Sequence, residues 1–287
     1  MSYFGKRLRL GRLTPGAHRT GLIVPIDHGL TLGPVPGLES ISTCHRWITH
    51  PAVTGVIAHK GVIERLGNLE LLENIAVVVH VNGMSGLSPR PDDKERLTSV
   101  ESAVRLGADA VSIQINFDGE NDAQNLIALG ELVDEAQKLA IPVLTMVYDK
   151  VACEDPGVAM ARLRHLMRIC VELGSDAIKV GAPEPPEHLA ELLHGVVEHT
   201  PVFVAGGARC EDERVLELAR VARHWGARGL CMGRNVFQRK DPGPLLTAVA
   251  RVLATQACGS TGSPTVVGED SKTEARERRV QHDAATM

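Results

Sequence analysis

The amino-acid sequence predicts an α/β fold, a closed (β/α)8 barrel of the TIM type. Eight short apolar segments recur along the 287-residue chain, and segments with helical periodicity follow most of them. Hydrophobic residues make up 44% of the chain but aromatic residues only 3%, which suits a barrel filled by branched aliphatic side chains. A doubly wound open sheet is the alternative, although no Gly-x-Gly-x-x-Gly sequence follows the first apolar segment.

The eight predicted strands are continuously apolar rather than alternating. This pattern indicates that both faces of each strand are buried, as in a parallel sheet. The strands cover residues 21–27, 53–59, 75–81, 108–115, 142–148, 176–180, 201–205 and 227–232.

Five segments between these strands carry apolar residues at helical spacing. Glycine follows three of them, at Gly107, Gly174 and Gly226, and glycine commonly ends a helix in the left-handed conformation. The predicted helices cover residues 92–106, 123–139, 159–173, 187–199 and 212–225.

Changes in composition divide the chain into three parts. Residues 1–20 form a basic N-terminal arm, which we interpret as an exposed arm or a subunit contact. Residues 21–256 form the barrel. Residues 257–287 are polar and charged and lack periodicity, so we expect a disordered tail that is dispensable for the chemistry.

The overall composition narrows the possible partners and compartment. The net charge is −4 and no dense basic stripe occurs, so nothing indicates a nucleic-acid partner. No apolar run approaches the roughly 20 residues of a membrane span, and residues 1–10 lack the apolar region of a signal peptide. The six cysteines form no Cys-x-x-Cys pair, so we interpret most of them as core residues with free thiols in a reducing cytoplasm.

Lys179 is the strongest candidate for a catalytic residue. In a TIM barrel the site is built at the C-terminal ends of the strands, and Lys179 lies near the end of the sixth one. A buried lysine must lose its charge or find a partner, and its neutral amine is a nucleophile that can form a Schiff base with a ketone. Lys60, which follows the second strand, is the second choice. A lysine that merely reaches solvent at the barrel mouth is the structural alternative.

Asp27 and Tyr148 end the first and fifth predicted strands and are candidates for proton transfer. Schiff-base chemistry needs groups that remove water from the carbinolamine and move protons at the reacting carbon. The alternatives are a structural hydrogen bond between Asp27 and His28, and simple packing of Tyr148.

Glycine turns after the last two strands are candidates for a phosphate site. TIM barrels commonly bind phosphate with these two loops, where backbone N–H groups point at the anion. The candidate residues are Gly206, Gly207, Gly233 and Arg234. With Lys179, they favour a phosphorylated ketone as the substrate.

Several stretches between about residues 6 and 253 carry motifs that are specific when they occur together. They are Val24-Pro25-Ile26-Asp27-His28-Gly29, Leu32-Gly33-Pro34, His59-Lys60-Gly61, the stretch 105–112, Ala205-Gly206-Gly207 and the stretch 232–238. These stretches resemble the DhnA-type class I aldolases, a family that includes archaeal fructose-bisphosphate aldolases. Within it the resemblance is closest to the branch of the 2-amino-3,7-dideoxy-D-threo-hept-6-ulosonate synthases.

This resemblance implies a Schiff-base lyase or transaldolase that needs no cofactor and no metal. It implies that Lys179 is the Schiff-base lysine, that Asp27 and Tyr148 move protons, and that the glycine turns and Arg234 bind phosphate. It also implies substrate contacts for His28 and Lys150. The implied substrates are a phosphorylated ketone and an aldehyde such as aspartate semialdehyde, on a route to aromatic compounds. The implied assembly is a homo-oligomer, a decamer of stacked rings.

The chain departs from the family pattern where a substrate is recognised. The family usually has Tyr-Pro-Arg-Gly after the fifth strand, and here the sequence is Tyr148-Asp149-Lys150-Val151. A lysine keeps the positive charge but loses the bidentate geometry of arginine. The loop at residues 83–88 also lacks the usual run of serine and threonine. Both departures bear on the substrate more than on the chemistry.

Other functions stay open at this stage. The chain is also compatible with a fructose-bisphosphate aldolase, or with a thiolase-type acyl transfer on a phosphorylated diketone. A metal-dependent aldolase would use His28, His59 and His80, which follow three neighbouring strands. A non-catalytic barrel that binds a sugar phosphate is the alternative outside the enzymes.

Overall fold

The computed structural model describes residues 3–255, and the predicted tail lies outside these residues. Eight parallel strands close into a barrel, and the pairing of Gly21 with Gly229 joins the first strand to the last. The predicted barrel is therefore confirmed, and the open sheet is excluded. The strands are β1 (Gly21–Pro25), β2 (Gly55–Ala58), β3 (Ala76–His80), β4 (Ala110–Phe117), β5 (Val143–Asp149), β6 (Ala177–Gly181), β7 (Val202–Ala205) and β8 (Gly229–Cys231).

Helices surround the barrel and short ones line its mouth. They are α1 (Tyr3–Leu13), α2 (His28–Leu32), α3 (His45–Ile48), α4 (Lys60–Asn68), α5 (Val100–Arg105), α6 (Asp122–Lys138), α7 (Pro156–Glu172), α8 (Leu189–Leu193), α9 (Asp212–His224), α10 (Arg234–Phe237) and α11 (Gly243–Ala254). Local sequence explains the sharp start of α7. The Asp155 side chain accepts hydrogen bonds from the amides of Gly157 and Val158, and Pro156 occupies the first helical turn.

Two predicted helices are shorter than expected. In the segment 92–106 only Val100–Arg105 is helical. Glu95–Arg96 instead pairs with Asn82–Gly83 as a two-stranded ribbon, and the amides of Leu97 and Thr98 donate to the carbonyl of Val81. These tertiary hydrogen bonds override the helical pattern, and residues 84–98 become a loop at the barrel mouth, here called the rim loop. The segment 187–199 is helical only to Leu193, after a 3-10 turn at Pro186–His188.

The apolar core has two layers. Alternate strand residues face the helices, while the others fill the barrel interior. In β6, Ile178 and Val180 belong to the outer layer and Ala177 to the inner one. Lys179 follows the same alternation as Ala177, so its side chain enters the barrel from the strand end.

The N-terminal segment packs against the barrel as a helix rather than standing free as an arm, and its role as a subunit contact stays a prediction. It forms α1, which closes the barrel at the N-terminal ends of the strands. Leu13 is fully buried among the residues of the barrel interior. Ion pairs of Lys6 with Asp176 (2.8 Å) and of Arg12 with Asp109 (2.7 Å) hold the helix in place.

None of the helices within residues 3–255 is both long and apolar enough to cross a membrane. Five cysteines lie in this range, all of them as free thiols. Cys44, Cys170 and Cys231 are buried, while Cys153 and Cys210 are partly accessible. The interpretation of most cysteines as core residues therefore holds for three of the five.

Candidate active site

A cavity of about 450 Å³ opens at the C-terminal ends of the strands, where the sequence predicts the site. Seven predicted site residues line it: His28, Tyr148, Lys179, Gly206, Gly207, Gly233 and Arg234. Asp27 precedes His28 in the chain and is close enough to Lys179 for its charge to affect the pKa of the lysine. Lys150 lies on the rim, with its Nζ 5.9 Å from the centre of the Tyr148 ring. Lys60 is exposed and donates to the carbonyl of Leu97, so it does not enter the cavity.

Lys179 is 7% exposed and its ammonium is surrounded by a small set of groups. Its Nζ lies 3.7 Å from Sδ of Met146, and Cys231, Tyr148 and Asp27 are its other neighbours. Burial lowers the pKa of Lys179, but these three neighbours raise it, and the net direction is upward. Thiols and phenols carry charge only at alkaline pH. Near neutral pH, Asp27 is therefore the one of the three that carries a negative charge, and this charge favours the protonated form of the lysine.

Asp27 is ionised although its side chain is only 14% exposed. Burial raises the pKa of Asp27, but His80, Lys179, His28 and His59 together lower it below the ordinary value. The Nδ1 atom of His28 lies 3.6 Å from Oδ1, and Nε2 of His80 lies 3.7 Å from Oδ2. Both distances exceed a normal hydrogen bond. The proposed structural hydrogen bond between Asp27 and His28 is therefore not formed.

His80 connects Asp27 to the interior of the barrel. It is buried, and its Nδ1 lies 2.9 Å from Oγ of Ser112 on β4. Burial lowers the pKa of His80 to about 4, against the opposing effect of Asp27. His80 is therefore neutral at physiological pH. Sequence reasoning did not identify Ser112, because a serine inside an apolar strand gives no signal of its partner on the neighbouring strand.

The three histidines of the metal-dependent alternative do not form a ligand set. The rings of His59 and His80 have centroids 5.1 Å apart, whereas His28 packs edge-on against Phe237 at 5.3 Å. Residues 3–255 contain no group of three or more His, Cys, Asp or Glu side chains arranged to hold a metal ion.

Close packing requires the glycines of the two predicted phosphate loops. A Cβ on Gly206 would lie 2.4 Å from Cβ of Met232, and one on Gly233 would lie 2.5 Å from the carbonyl oxygen of Pro25. Gly207 has a φ of +67°, which is strained for other residues. Within residues 3–255 no acceptor pairs with the amide of Gly207 or Gly233. Two free backbone donors and Arg234 therefore border the cavity.

Asn235 fixes these two loops to each other and was not among the predicted site residues. It is fully buried, and its Nδ2 donates to the carbonyls of Gly206 (2.8 Å) and Ala208 (3.0 Å). Its Oδ1 accepts from the amide of Cys210 at 3.0 Å. Its signals in the sequence were its place next to Arg234 in a glycine turn and within the motif stretch 232–238.

The rim on the opposite side of the mouth carries a second set of charges. Lys150 forms an ion pair with Asp92 on the rim loop, with 2.8 Å between Nζ and Oδ1. Asn116 at the end of β4 donates to the backbone carbonyl of Asp92 at 2.8 Å and to its Oδ1 at 3.2 Å. Lys94 follows closely on the same loop. Asp92 and Lys94 were predicted within a helix, so their position at the mouth was not expected.

A parallel barrel with a buried lysine beside a carboxylate, at the strand ends and facing two glycine loops, defines the class of Schiff-base aldolases. The chain belongs to a known family within this class. A family model described as DeoC/LacD family aldolase matches residues 21–239. The protein is therefore a class I aldolase that acts through a Schiff base.

Relatives with known names support the same assignment. The chain is 34% identical to a 2-amino-3,7-dideoxy-D-threo-hept-6-ulosonate synthase of Halobacterium salinarum, over 90% of this chain and 94% of the relative. It is 31% identical to a 2-amino-4,5-dihydroxy-6-oxo-7-(phosphonooxy)heptanoate synthase of Streptomyces griseus, over 87% and 90% of the two chains.

Solved structures of archaeal fructose 1,6-bisphosphate aldolases share the fold. One structure of a Schiff-base-forming enzyme superposes with a TM-score of 0.74 at 25% identity, covering 86% of this chain and 99% of the other. A second, with the same values, has its catalytic lysine covalently bound to the carbinolamine intermediate of the substrate.

Proposed function

We propose that Lys179 forms a Schiff base with a phosphorylated ketone, and that the resulting enamine adds to an aldehyde. The observation that carries this proposal is the position of Lys179. It is buried at the end of β6, next to Asp27, in the same cavity as Tyr148 and the two glycine loops.

The proposed reaction starts with the loss of a proton from the Lys179 ammonium. The neutral amine attacks the ketone carbon, and the carbinolamine loses its hydroxyl group as water to give an iminium ion. The iminium accepts the electron pair when a proton leaves the adjacent carbon. The enamine then attacks the aldehyde carbon, and water releases the product and the free lysine.

Asp27 and Tyr148 are the proposed proton carriers for these steps. Asp27 is the buried carboxylate beside Lys179, and it can take or return the proton of the amine. Tyr148 lines the cavity and neighbours Lys179, so its hydroxyl can serve the carbinolamine or the reacting carbon. His28 borders the same space and is proposed to contact the substrate.

The proposed donor carries its phosphate between the β7 and β8 loops. The amides of Gly207 and Gly233 lack acceptors within residues 3–255, and Arg234 adds a positive charge. Gly206 allows the two loops to approach closely. Dihydroxyacetone phosphate and a deoxy-ketohexose phosphate are the two proposed donors.

The proposed acceptor is aspartate semialdehyde, which would make the product an amino-sugar acid for aromatic biosynthesis. The name of the Streptomyces griseus relative describes a seven-carbon amino acid with a phosphorylated end. Division of that product between carbons 4 and 5 gives aspartate semialdehyde and dihydroxyacetone phosphate. A sugar-phosphate aldehyde is the second candidate, favoured by the likeness to fructose-bisphosphate aldolases.

The test is reductive trapping of the imine. The protein is mixed with each donor and borohydride, and labelled peptides are identified by mass spectrometry. We expect the adduct on Lys179 and none in Lys179→Arg, because a guanidinium keeps the charge but cannot form the imine. Lys60→Arg is the matched control and should label normally. An adduct on Lys60, or on no lysine, would refute the proposal.

A further inference from the structure

The rim loop carries charged residues that the proposed donor site does not use. Lys94 precedes the short strand Glu95–Arg96, in which Glu95 pairs with Gly83. Glu95 is exposed whereas Lys94 is half-buried. A Cβ on Gly83 would lie 3.3 Å from Cε1 of His59. The ribbon therefore passes over the His59 side of the mouth, and Lys94 directly precedes it in the chain.

Lys94 has no hydrogen bond or ion pair within residues 3–255. Burial and the nearby Lys150 lower the pKa of Lys94, while the carboxylates of Asp92 and Asp27 raise it. The charge of Lys94 also lowers the pKa values of His59 and His80, which lie at the ends of β2 and β3. In the strand order of the barrel the end of β3 lies across the mouth from β7, and β1 separates β2 from β8. Lys94 is thus an unpaired cation on the side of Asp27 opposite to the phosphate loops.

Asp92 supplies a fixed negative charge next to this cation. Its backbone and Oδ1 are held by Asn116, and Oδ1 also receives Lys150. Its other oxygen, Oδ2, has no partner among residues 3–255, and the side chain is 43% exposed. Among residues 3–255 the rim loop therefore carries one carboxylate oxygen and one ammonium without partners, two residues apart in the chain.

We propose that Asp92 and Lys94 bind the far end of the acceptor aldehyde, Asp92 holding an ammonium group and Lys94 a carboxylate. This assignment rests on the proposed Schiff-base function of the cavity. The pair complements the zwitterionic end of an α-amino acid. An aldehyde that ends in a phosphate dianion would instead need both Lys94 and Lys150. Lys150 already forms an ion pair with Asp92. The rim therefore determines specificity for the acceptor, while the β7 and β8 loops determine it for the donor.

The test compares two acceptors that differ only in the ammonium group, aspartate semialdehyde and succinic semialdehyde. Loss of a charge-assisted hydrogen bond corresponds to about a 10- to 150-fold change. Lys94→Met should raise KM for both acceptors by this factor, and Lys94→Arg should restore part of the loss. Asp92→Asn should weaken only aspartate semialdehyde and so remove the preference between the two. Glu95→Gln, an exposed change on the same loop, should alter neither.

Borohydride trapping with donor alone separates this proposal from the one on which it rests. Lys94→Met and Asp92→Asn should both label Lys179 at the rate of the unchanged protein, because the donor does not reach the rim. Loss of labelling in either variant would show that the rim supports the donor site, which overturns the proposal. Normal labelling with unchanged use of both acceptors would also overturn it. Absence of labelling in the unchanged protein would instead refute the Schiff-base function of Lys179.

Discussion

The negative charge of Asp27 favours the ammonium form of Lys179, and this influence has a cost for catalysis. The carboxylate that keeps the lysine charged must allow it to become neutral before it attacks a ketone. Because the pKa of Lys179 is raised, the neutral amine is scarce near pH 7. As long as the pH is below that pKa, the fraction of neutral amine rises about tenfold for each unit by which the pH increases.

The rate of imine trapping should therefore rise with pH between about 6.5 and 8.5. Asp27→Asn removes the anion that favours the ammonium, so the pKa of Lys179 should fall and the rise should occur at lower pH. Labelling rates with cyanoborohydride and saturating donor, measured for both proteins in the same buffers, provide the comparison. Identical pH profiles would contradict the pairing of these two residues.

Arg234 is the charged side chain of the proposed phosphate site. Its contact with a phosphate corresponds to about 1.5–3 kcal/mol, so Arg234→Ala should reduce kcat/KM for phosphorylated donors by about 10- to 150-fold. The loss should appear mainly in KM if the contact is the same in the ground and transition states. Steady-state kinetics with a non-phosphorylated ketone is the control. Equal losses with both donors would assign Arg234 a structural role.

At this scale the sequence predicted the residues whose positions follow from the strand ends. Lys179, Tyr148 and the glycine turns line one cavity because each directly ends or follows a strand of a barrel. Asn235 and Ser112 could not be predicted, because each acts on a loop or strand that is distant in sequence. Their partners depend on the register between neighbouring strands.

Among the elements, α1 shows how a local pattern can mislead. Its basic residues suggested an exposed segment, yet Leu10 and Leu13 pack against the barrel interior. For the segment 92–106 the prediction was wrong in the opposite sense, because less of the segment is regular structure than expected. Its helical spacing was real only from Val100 onward, because the carbonyl of Val81 takes the amides of Leu97 and Thr98. The strands were predicted well because burial on both faces leaves a continuous apolar run.

Truncation of the leucine that closes the barrel should destabilise the whole protein. Leu13→Ala leaves a cavity where the side chain is fully buried, and such changes cost about 2–5 kcal/mol. Leu8→Ala on the same helix is the matched control, because Leu8 is 57% exposed and its loss should cost less than about 0.5 kcal/mol. Thermal and denaturant unfolding measure both. Equal effects would show that α1 does not contribute to the core.

For the molecule as a whole, the buried His80 links stability to pH. The pKa of His80 is about 4 in the folded protein, whereas a histidine exposed to water, as in the unfolded chain, has a pKa of 6.5. Between these values the unfolded chain binds a proton that the folded one does not, so stability falls as pH falls. At about 1.4 kcal/mol per unit, the loss reaches about 3 kcal/mol by pH 4 and does not grow below it.

His80→Gln should remove this part of the pH dependence while preserving a polar partner for Ser112. The free energy of unfolding, measured by urea titration at pH 7 and at pH 4, should fall less in the variant than in the unchanged protein. The loss between pH 7 and pH 4 should be about 3 kcal/mol smaller in the variant. Parallel losses in the two proteins would show that other groups cause the acid sensitivity.

The pairing of Gly21 with Gly229 has a consequence for biosynthesis. The two edges that close the barrel are about 200 residues apart in the chain. While the ribosome synthesises the intervening units, β1 has neighbours on one side only, and its backbone donors and acceptors on the other side stay open. Closure must wait until β8 leaves the exit tunnel. An interrupted translation product that lacks β8 therefore keeps an unpaired strand edge that can pair with another chain. Chaperones bind incompletely folded chains of this kind.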